Sequence, residues 1–161
     1  MASSIKMLKA QKLLLNEMMS DDNICNHGVQ TTFIDDSKDL MIGNGYFGFR
    51  VDKQNLLLNL DGFEKYPIFD VVNMNNVRDL VFAGAYNINI RQTNRTMSVY
   101  CFVTADVGIA KHYFDKKYID IFNMEYVEYH YKKGICIITD AKTLEIIGYV
   151  LEIERIGDKN D

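Results

Sequence analysis

The chain has 161 residues, 48% of them hydrophobic and 25% charged, with a formal net charge of −4 and three cysteines. That length suits one domain, residues 1–161, with an ample core, and the acidic balance excludes a protein coated in nucleic-acid-binding charge while leaving room for a local basic face. Ten Tyr, nine Phe, no Trp and one Pro favour a strand-rich fold.

In chain order, Ser3 or Ser4 caps a helix running to about Met19. Ile5, Leu8, Leu15 and Met19 gather on its apolar side, flanked by Met7, Leu14 and Met18, with Lys6 and Lys9 opposite and Lys12 at the border. Asp21-Asp22-Asn23 stops it. Val29–Ile34 alternates as a strand, residues 35–38 turn the chain, and Leu40–Ile42 return it. Gly43-Asn44-Gly45 makes a tight turn in which glycine supplies positive φ, and Tyr46, Phe47, Phe49 and Val51 continue as a third strand.

Residues 60–84 read as an insertion or connection, with a weak helical pattern over Val71–Phe82. Tyr86–Arg91 and Met97–Val103 pair as a hairpin. Ile109–Phe114 then enters a second helix capped by Asp115, with Tyr118, Ile121 and Phe122 on one side. After Asn123 the period becomes two, and strands at 126–131, Ile135–Thr139 and Ile146–Ile153 follow, joined by turns at Lys132-Lys133-Gly134 and Ala141–Glu145. Gly157–Asp161 is a loose polar tail. The order helix, strand, strand, strand occurs twice, as a repeat of pattern rather than of sequence.

Catalytic chemistry is not legible. Gly43–Gly48 contains spaced glycines but continues into strand rather than helix, so it fails the context a nucleotide fingerprint needs. Cys25 and His27 lack a second ligand pair; His112 and His130 read as outward residues on solvated strand faces. No enzyme, cofactor or metal centre is expected. Cys101 and Cys136 lie in apolar β runs, where reduced cysteine behaves as a small hydrophobe, and the odd thiol count fits a reducing cytoplasm. The start of the chain is lysine-dotted rather than an apolar leader, and no run is long enough to span a membrane.

Phe114-Asp115-Lys116-Lys117-Tyr118-Ile119 and Gly148-Tyr149-Val150-Leu151 resemble the helix start and the closing strand of a bacterial DNA sliding-clamp domain, over roughly residues 109–156. Asn44-Gly45-Tyr46 is similar to the turn of that family's first half, and Tyr66–Asp70 more weakly to its linker. Glu152 departs from the pattern, standing where the family usually has proline. The resemblance implies an α+β, clamp-like domain: two short helices on antiparallel meanders, related by a pseudo-twofold.

It further implies helices lining a ring, with Lys6, Lys9, Lys12, Lys111, Lys116 and Lys117 toward duplex DNA phosphates in a sequence-independent, salt-sensitive contact. Asp115, Asp120 and Glu17 share those helices and dilute the field. Tyr149, Leu151, Glu152 and Glu154 fall on the closing tail that shapes a partner-binding pocket, and edge-strand pairing would assemble six copies of the 18.6 kDa chain. Two functions follow as expectations. One is a non-catalytic clamp-like protein that binds duplex DNA, replication proteins or both. The other is a phage-encoded interaction protein that inhibits a host replication or defence protein, such as a CRISPR nuclease.

Overall fold

The computed structural model describes residues 3–18, 28–33, 39–59, 64–67, 84–92, 95–104, 110–132 and 134–153. Its elements are α1 (Met7–Met18), β1 (Gly28–Phe33), β2 (Asp39–Gly43), β3 (Phe47–Asp52), a 3-10 turn (Lys53–Asn55), β4 (Glu64–Pro67), β5 (Gly84–Gln92), β6 (Arg95–Thr104), β7 (Ala110–Asp115), α2 (Lys116–Ile119), β8 (Val127–Lys132), β9 (Ile135–Asp140) and β10 (Ile146–Leu151). Together they form a small α+β domain in which two helices pack against two sheets. The larger sheet runs β4-β1-β2-β3-β10-β9-β8 and the smaller β5-β6-β7. All pairings are antiparallel except β1 with β4. Glu64–Pro67, inside the stretch expected to be an insertion, is thus a strand of the main sheet. The helical pattern at 71–82 and the Cys25–His27 pair lie outside the described residues.

Cross-strand register explains the core. Paired residues of an antiparallel sheet point to one face, and successive pairings align Tyr129, Ile138, Gly148, Phe49 and Ile42 in one row across β8-β9-β10-β3-β2. This row belongs to the face that meets the helices, where Ala10, Leu14, Tyr118, Ile119, Ile121 and Phe122 complete the main cluster. The adjacent row, His130, Ile137, Tyr149, Gly48 and Gly43, points to the other face. His130, Ile137 and Tyr149 are fully buried there, as is Met41. The sheet centre is therefore dry on both sides.

Three glycines make room for two aromatic rings. A Cβ on Gly48 would lie 2.3 Å from the Tyr149 ring, one on Gly43 2.7 Å from Tyr149 Oη, and one on Gly148 2.2 Å from the Phe122 ring. Tyr149 thus lies across β3 and β2 on one face, its hydroxyl donating to the Asn44 carbonyl at 3.1 Å, while Phe122 covers β10 on the other. The expectation that the Gly43-Asn44-Gly45 turn uses positive φ is corrected: among the described residues the only glycine with positive φ is Gly134, at 82°. Gly43 is required by close approach, since a Cβ there would lie 2.3 Å from the Phe47 carbonyl oxygen.

The small sheet faces the same cluster. Tyr100, Phe102 and Phe114 join it, with the Phe102 ring 4.9 Å from that of Tyr129 and 5.4 Å from that of Phe114. Val99 and Cys101, on the opposite side of β6, are also buried, and burial pushes the Cys136 thiol well above its ordinary range. Both thiols are free and buried.

Candidate interaction face

The helix-bearing side is built by the segment after α2. Asp115 caps α2, its side chain accepting from the Lys117 N–H at 3.0 Å. The chain then turns through Ile121 and Phe122 and pairs with the residues ahead of α1. Ile5 bridges Phe122, the Lys6 N–H donates to Ile121 at 2.7 Å, and the Asn123 N–H donates to Ser4 at 2.8 Å. Backbone pairing therefore fixes where α1 begins, at Met7. Ser3 and Ser4 lie too far upstream to cap it; the Ser4 hydroxyl instead donates to Asp140. That bond, with the Thr143 and Lys142 N–H groups, holds the Asp140 carboxyl below its usual range.

α1 buries a different stripe from the one its most apolar side suggests. Ala10, Gln11 and Leu14 are buried and Met7 and Leu13 partly so, whereas Leu8 is 73% exposed and Leu15 38%. Gln11 explains the rotation. It is 2% exposed, and its amide donates to the Asn55 carbonyl at 2.9 Å and accepts from the Leu57 N–H at 2.7 Å. Both ends of one buried amide are thereby satisfied by the loop behind the 3-10 turn, and Leu57 is left 67% exposed beside the helix.

At the far end of α1, Glu17 receives the Tyr118 hydroxyl and, at 2.9 Å, the Asn44 side-chain amide. Asn44, wholly buried, also accepts from the Tyr46 and Phe47 N–H groups at 2.8 and 3.1 Å. One asparagine thus joins α1, the β2–β3 turn and, through Tyr149, β10. Burial and the Glu17 bond push the Tyr118 hydroxyl far above its ordinary pKa.

The six lysines fall into two groups. Lys6 just ahead of α1, Lys9 and Lys12 on it and Lys111 on β7 are exposed. Lys116 is bonded to Asp120 at 2.5 Å, and Lys117 lies 3.5 Å from Glu17 and 3.7 Å from Asp115. At Asp120, desolvation opposes ionisation, but hydrogen bonds from Lys116 and Tyr100 outweigh it and hold the carboxyl below its usual value. At Asp115, burial wins and raises it. Around α2, Glu17, Asp115 and Asp120 lie against Lys116 and Lys117, with Lys9 also acting on Asp120, so acids share the field of these lysines.

The closing-tail residues are engaged internally. Tyr149 is fully buried, which removes it from any surface contact. Leu151 is half-buried, its N–H bonded to the Tyr46 carbonyl at 2.8 Å. Glu152 accepts from the Tyr131 hydroxyl at 2.7 Å and lies 2.7 Å from His112 Nδ1, while the His112 and Tyr131 rings stack at 3.9 Å. Its own N–H donates to the Gly134 carbonyl at 2.9 Å. Glu152 is therefore a clasp joining β7, β8 and the end of β10. Glu154 lies outside the described residues.

Both histidine expectations are corrected. His112 is half-buried in that clasp. His130 does alternate away from the helix-side core, but its face is buried too, with Nε2 3.1 Å from the Thr139 hydroxyl.

An open cleft of about 350 Å³ lined by Ser4, Arg50, Asp52, Asp140 and Glu145 lies near the start of α1. The Arg50 guanidinium, 3.3 Å from Glu145, offsets part of its negative charge. Among the described residues, no cluster of His, Cys, Asp or Glu is arranged to hold a metal ion, and no helix is long and apolar enough to cross a membrane. No protein-family model, curated protein or solved structure matches the chain.

Proposed function

We propose that the chain is a non-catalytic, clamp-like interaction domain that works through its helix-bearing face, and that its ligand is a protein of the replication or defence machinery. The clamp-like part is supported by order and pairing. α1 precedes the β1–β2–β3 meander, α2 precedes the β8–β9–β10 meander, and the two meanders meet antiparallel through β3 and β10 at Gly48 and Tyr149. The single observation that carries the choice of ligand is the surface of α1, where Leu8 and Leu15 stand exposed among lysines. A phosphate-facing helix gains nothing from bare leucine, whereas a protein-docking helix does.

Duplex DNA is the second reading, supported by the exposure of Lys6, Lys9, Lys12 and Lys111. The two readings separate in a salt titration of binding to a short fluorescent duplex. Contacts from all six candidate lysines give a log–log slope of about −5.4, and contacts from Lys6, Lys9 and Lys12 alone about −2.7. The protein reading expects only weak binding with the shallow slope, unaffected by Lys116→Glu and Lys117→Glu. A slope near the steeper value that those two substitutions flatten would overturn it.

A further inference from the structure

Four features of α1 belong together. Leu8 and Leu15 lie seven residues apart on one stripe, about 10.5 Å along the axis, and Gln11 sits between them. Gln11 holds the backbone of residues 55–57, which sets Leu57 alongside that stripe. Leu8 and Leu57, at 73% and 67%, are the two most exposed large apolar side chains among the described residues, and Leu15 is exposed at 38%. Lys9 and Lys12 are exposed between the two helical leucines, and Lys6 stands at the start of the helix. On a chain of net charge −4, this patch is both apolar and basic.

We propose that this patch docks an acidic amphipathic helix of a partner protein, one that sets apolar side chains at i, i+3 or i+4, and i+7 against Leu8, Leu57 and Leu15 and carboxylates against Lys9 and Lys12. The inference rests on the interaction-domain reading and names the partner's chemistry. Length and charge both select this occupant. A stripe two helical turns long matches the anchor spacing of one facing helix. The lysines that frame it favour carboxylates at the rim, where complementary charge sets orientation and partner choice. The same charge disfavours a second copy of this chain docked through the same face, because it would set Lys6, Lys9 and Lys12 against their own equivalents. Gln11 supplies the rigidity: an amide bonded at both ends keeps Leu57 ordered before any partner arrives, so less ordering entropy is lost on docking.

The test uses the full chain and two designed helical peptides with leucines at i, i+3 and i+7, one flanked by glutamates and the other by lysines. Binding is followed by fluorescence anisotropy at moderate salt, alongside a short duplex and vesicles of phosphatidylglycerol and phosphatidylcholine. The parent is expected to bind the glutamate peptide at least about tenfold more tightly than the lysine peptide, a difference of roughly 1.4 kcal/mol. Leu8→Glu with Leu57→Glu, both at exposed positions, should remove that binding without altering the unfolding transition. Lys9→Glu with Lys12→Glu should reverse the preference toward the lysine peptide.

Equal binding of the two peptides, or binding indifferent to Leu8→Glu with Leu57→Glu, overturns the docking inference. So does vesicle binding in preference to peptide, which would make the patch a membrane contact. A parent that binds neither peptide nor duplex overturns this inference alone, leaving the interaction-domain reading to the rest of the helix-bearing face. Duplex binding with the steep salt slope overturns both.

Discussion

Gly148 at the centre of β10 offers the sharpest perturbation of the fold, because its missing side chain is where the α2 turn docks. A Cβ there would lie 2.2 and 2.5 Å from Phe122 Cζ and Cε1 and 2.8 Å from the Gly48 carbonyl oxygen. The ring cannot retreat freely, since Phe122 is 1% exposed and its backbone is bridged to Ile5. Overpacking of a filled core costs about 1–3 kcal/mol, and Gly148→Ala should fall at the upper end because one wall is backbone. Phe122→Ala alone should cost about 3–5 kcal/mol through the cavity it leaves.

The two changes should not add. With the ring gone, the new methyl meets only the carbonyl wall, and the double mutant should be about 1–2 kcal/mol more stable than the sum of the single costs. Urea denaturation followed by circular dichroism measures all four corners, with an unchanged m-value showing that the same surface unfolds in each. A Gly148→Ala variant within about 0.5 kcal/mol of the parent, or strict additivity, would refute the packing that places α1 against the sheet, and with it the placement of the interaction face.

Asn44→Ala should destabilise by about 3 kcal/mol or more, because it strips partners from the Tyr46 and Phe47 N–H groups and from Glu17; a loss below about 1 kcal/mol in the same urea assay would contradict the network. Glu152→Pro should cost about 3 kcal/mol, losing the N–H bonded to Gly134 together with the carboxylate held between His112 and Tyr131, whereas Glu152→Gln keeps the backbone bond and should cost about 1 kcal/mol. Equal effects of the two would show that the side-chain clasp outweighs the backbone bond. Stability should hold to about pH 10 and then fall. Burial, with the Glu152 bond adding to it, pushes Tyr131 from 10.0 up to about 12, so the folded state retains this proton more tightly than the unfolded chain, and the resulting stability is lost as pH rises through that interval. Burial shifts Tyr129 and Tyr149 in the same direction. At the acid end the depressed Asp120 and Asp140 carboxyls give the opposite sign, their stability being lost as pH falls below the ordinary carboxylate range near 4. A pH scan of the urea midpoint that was flat above pH 10 would contradict the tyrosine burial.

Local chemistry was legible where one segment decides the outcome. Asp115 announces the cap of α2, the period-two stretches from Tyr126 to Ile153 announce β8, β9 and β10, and the hairpin of β5 and β6 follows from its two β runs. What depends on the other side of a contact was not. Alternation shows that His130 points away from Tyr129, but not that the face it points to is buried. Gly43 reads as a turn residue, and nothing local marks a need for glycine at 48 or 148 until the register brings Tyr149 and Phe122 over them. The leucines of α1 form an apolar side in sequence, and only the bonding of Gln11 to residues 55–57 reveals that a second stripe was buried and Leu8 and Leu15 left outside. Asp115, Asp120 and Glu17 foretell a diluted field around Lys116 and Lys117, but that Glu17 reaches Lys117 itself is a contact across a hundred residues that the sequence does not show.

The most direct measurement is solution mass by light scattering, with and without a short duplex at low salt. A mass that the duplex leaves unchanged is the result expected of a domain whose helix face serves a protein. A duplex-dependent rise toward six copies of the 18.6 kDa chain would contradict it and make the helix face the lining of a ring around DNA.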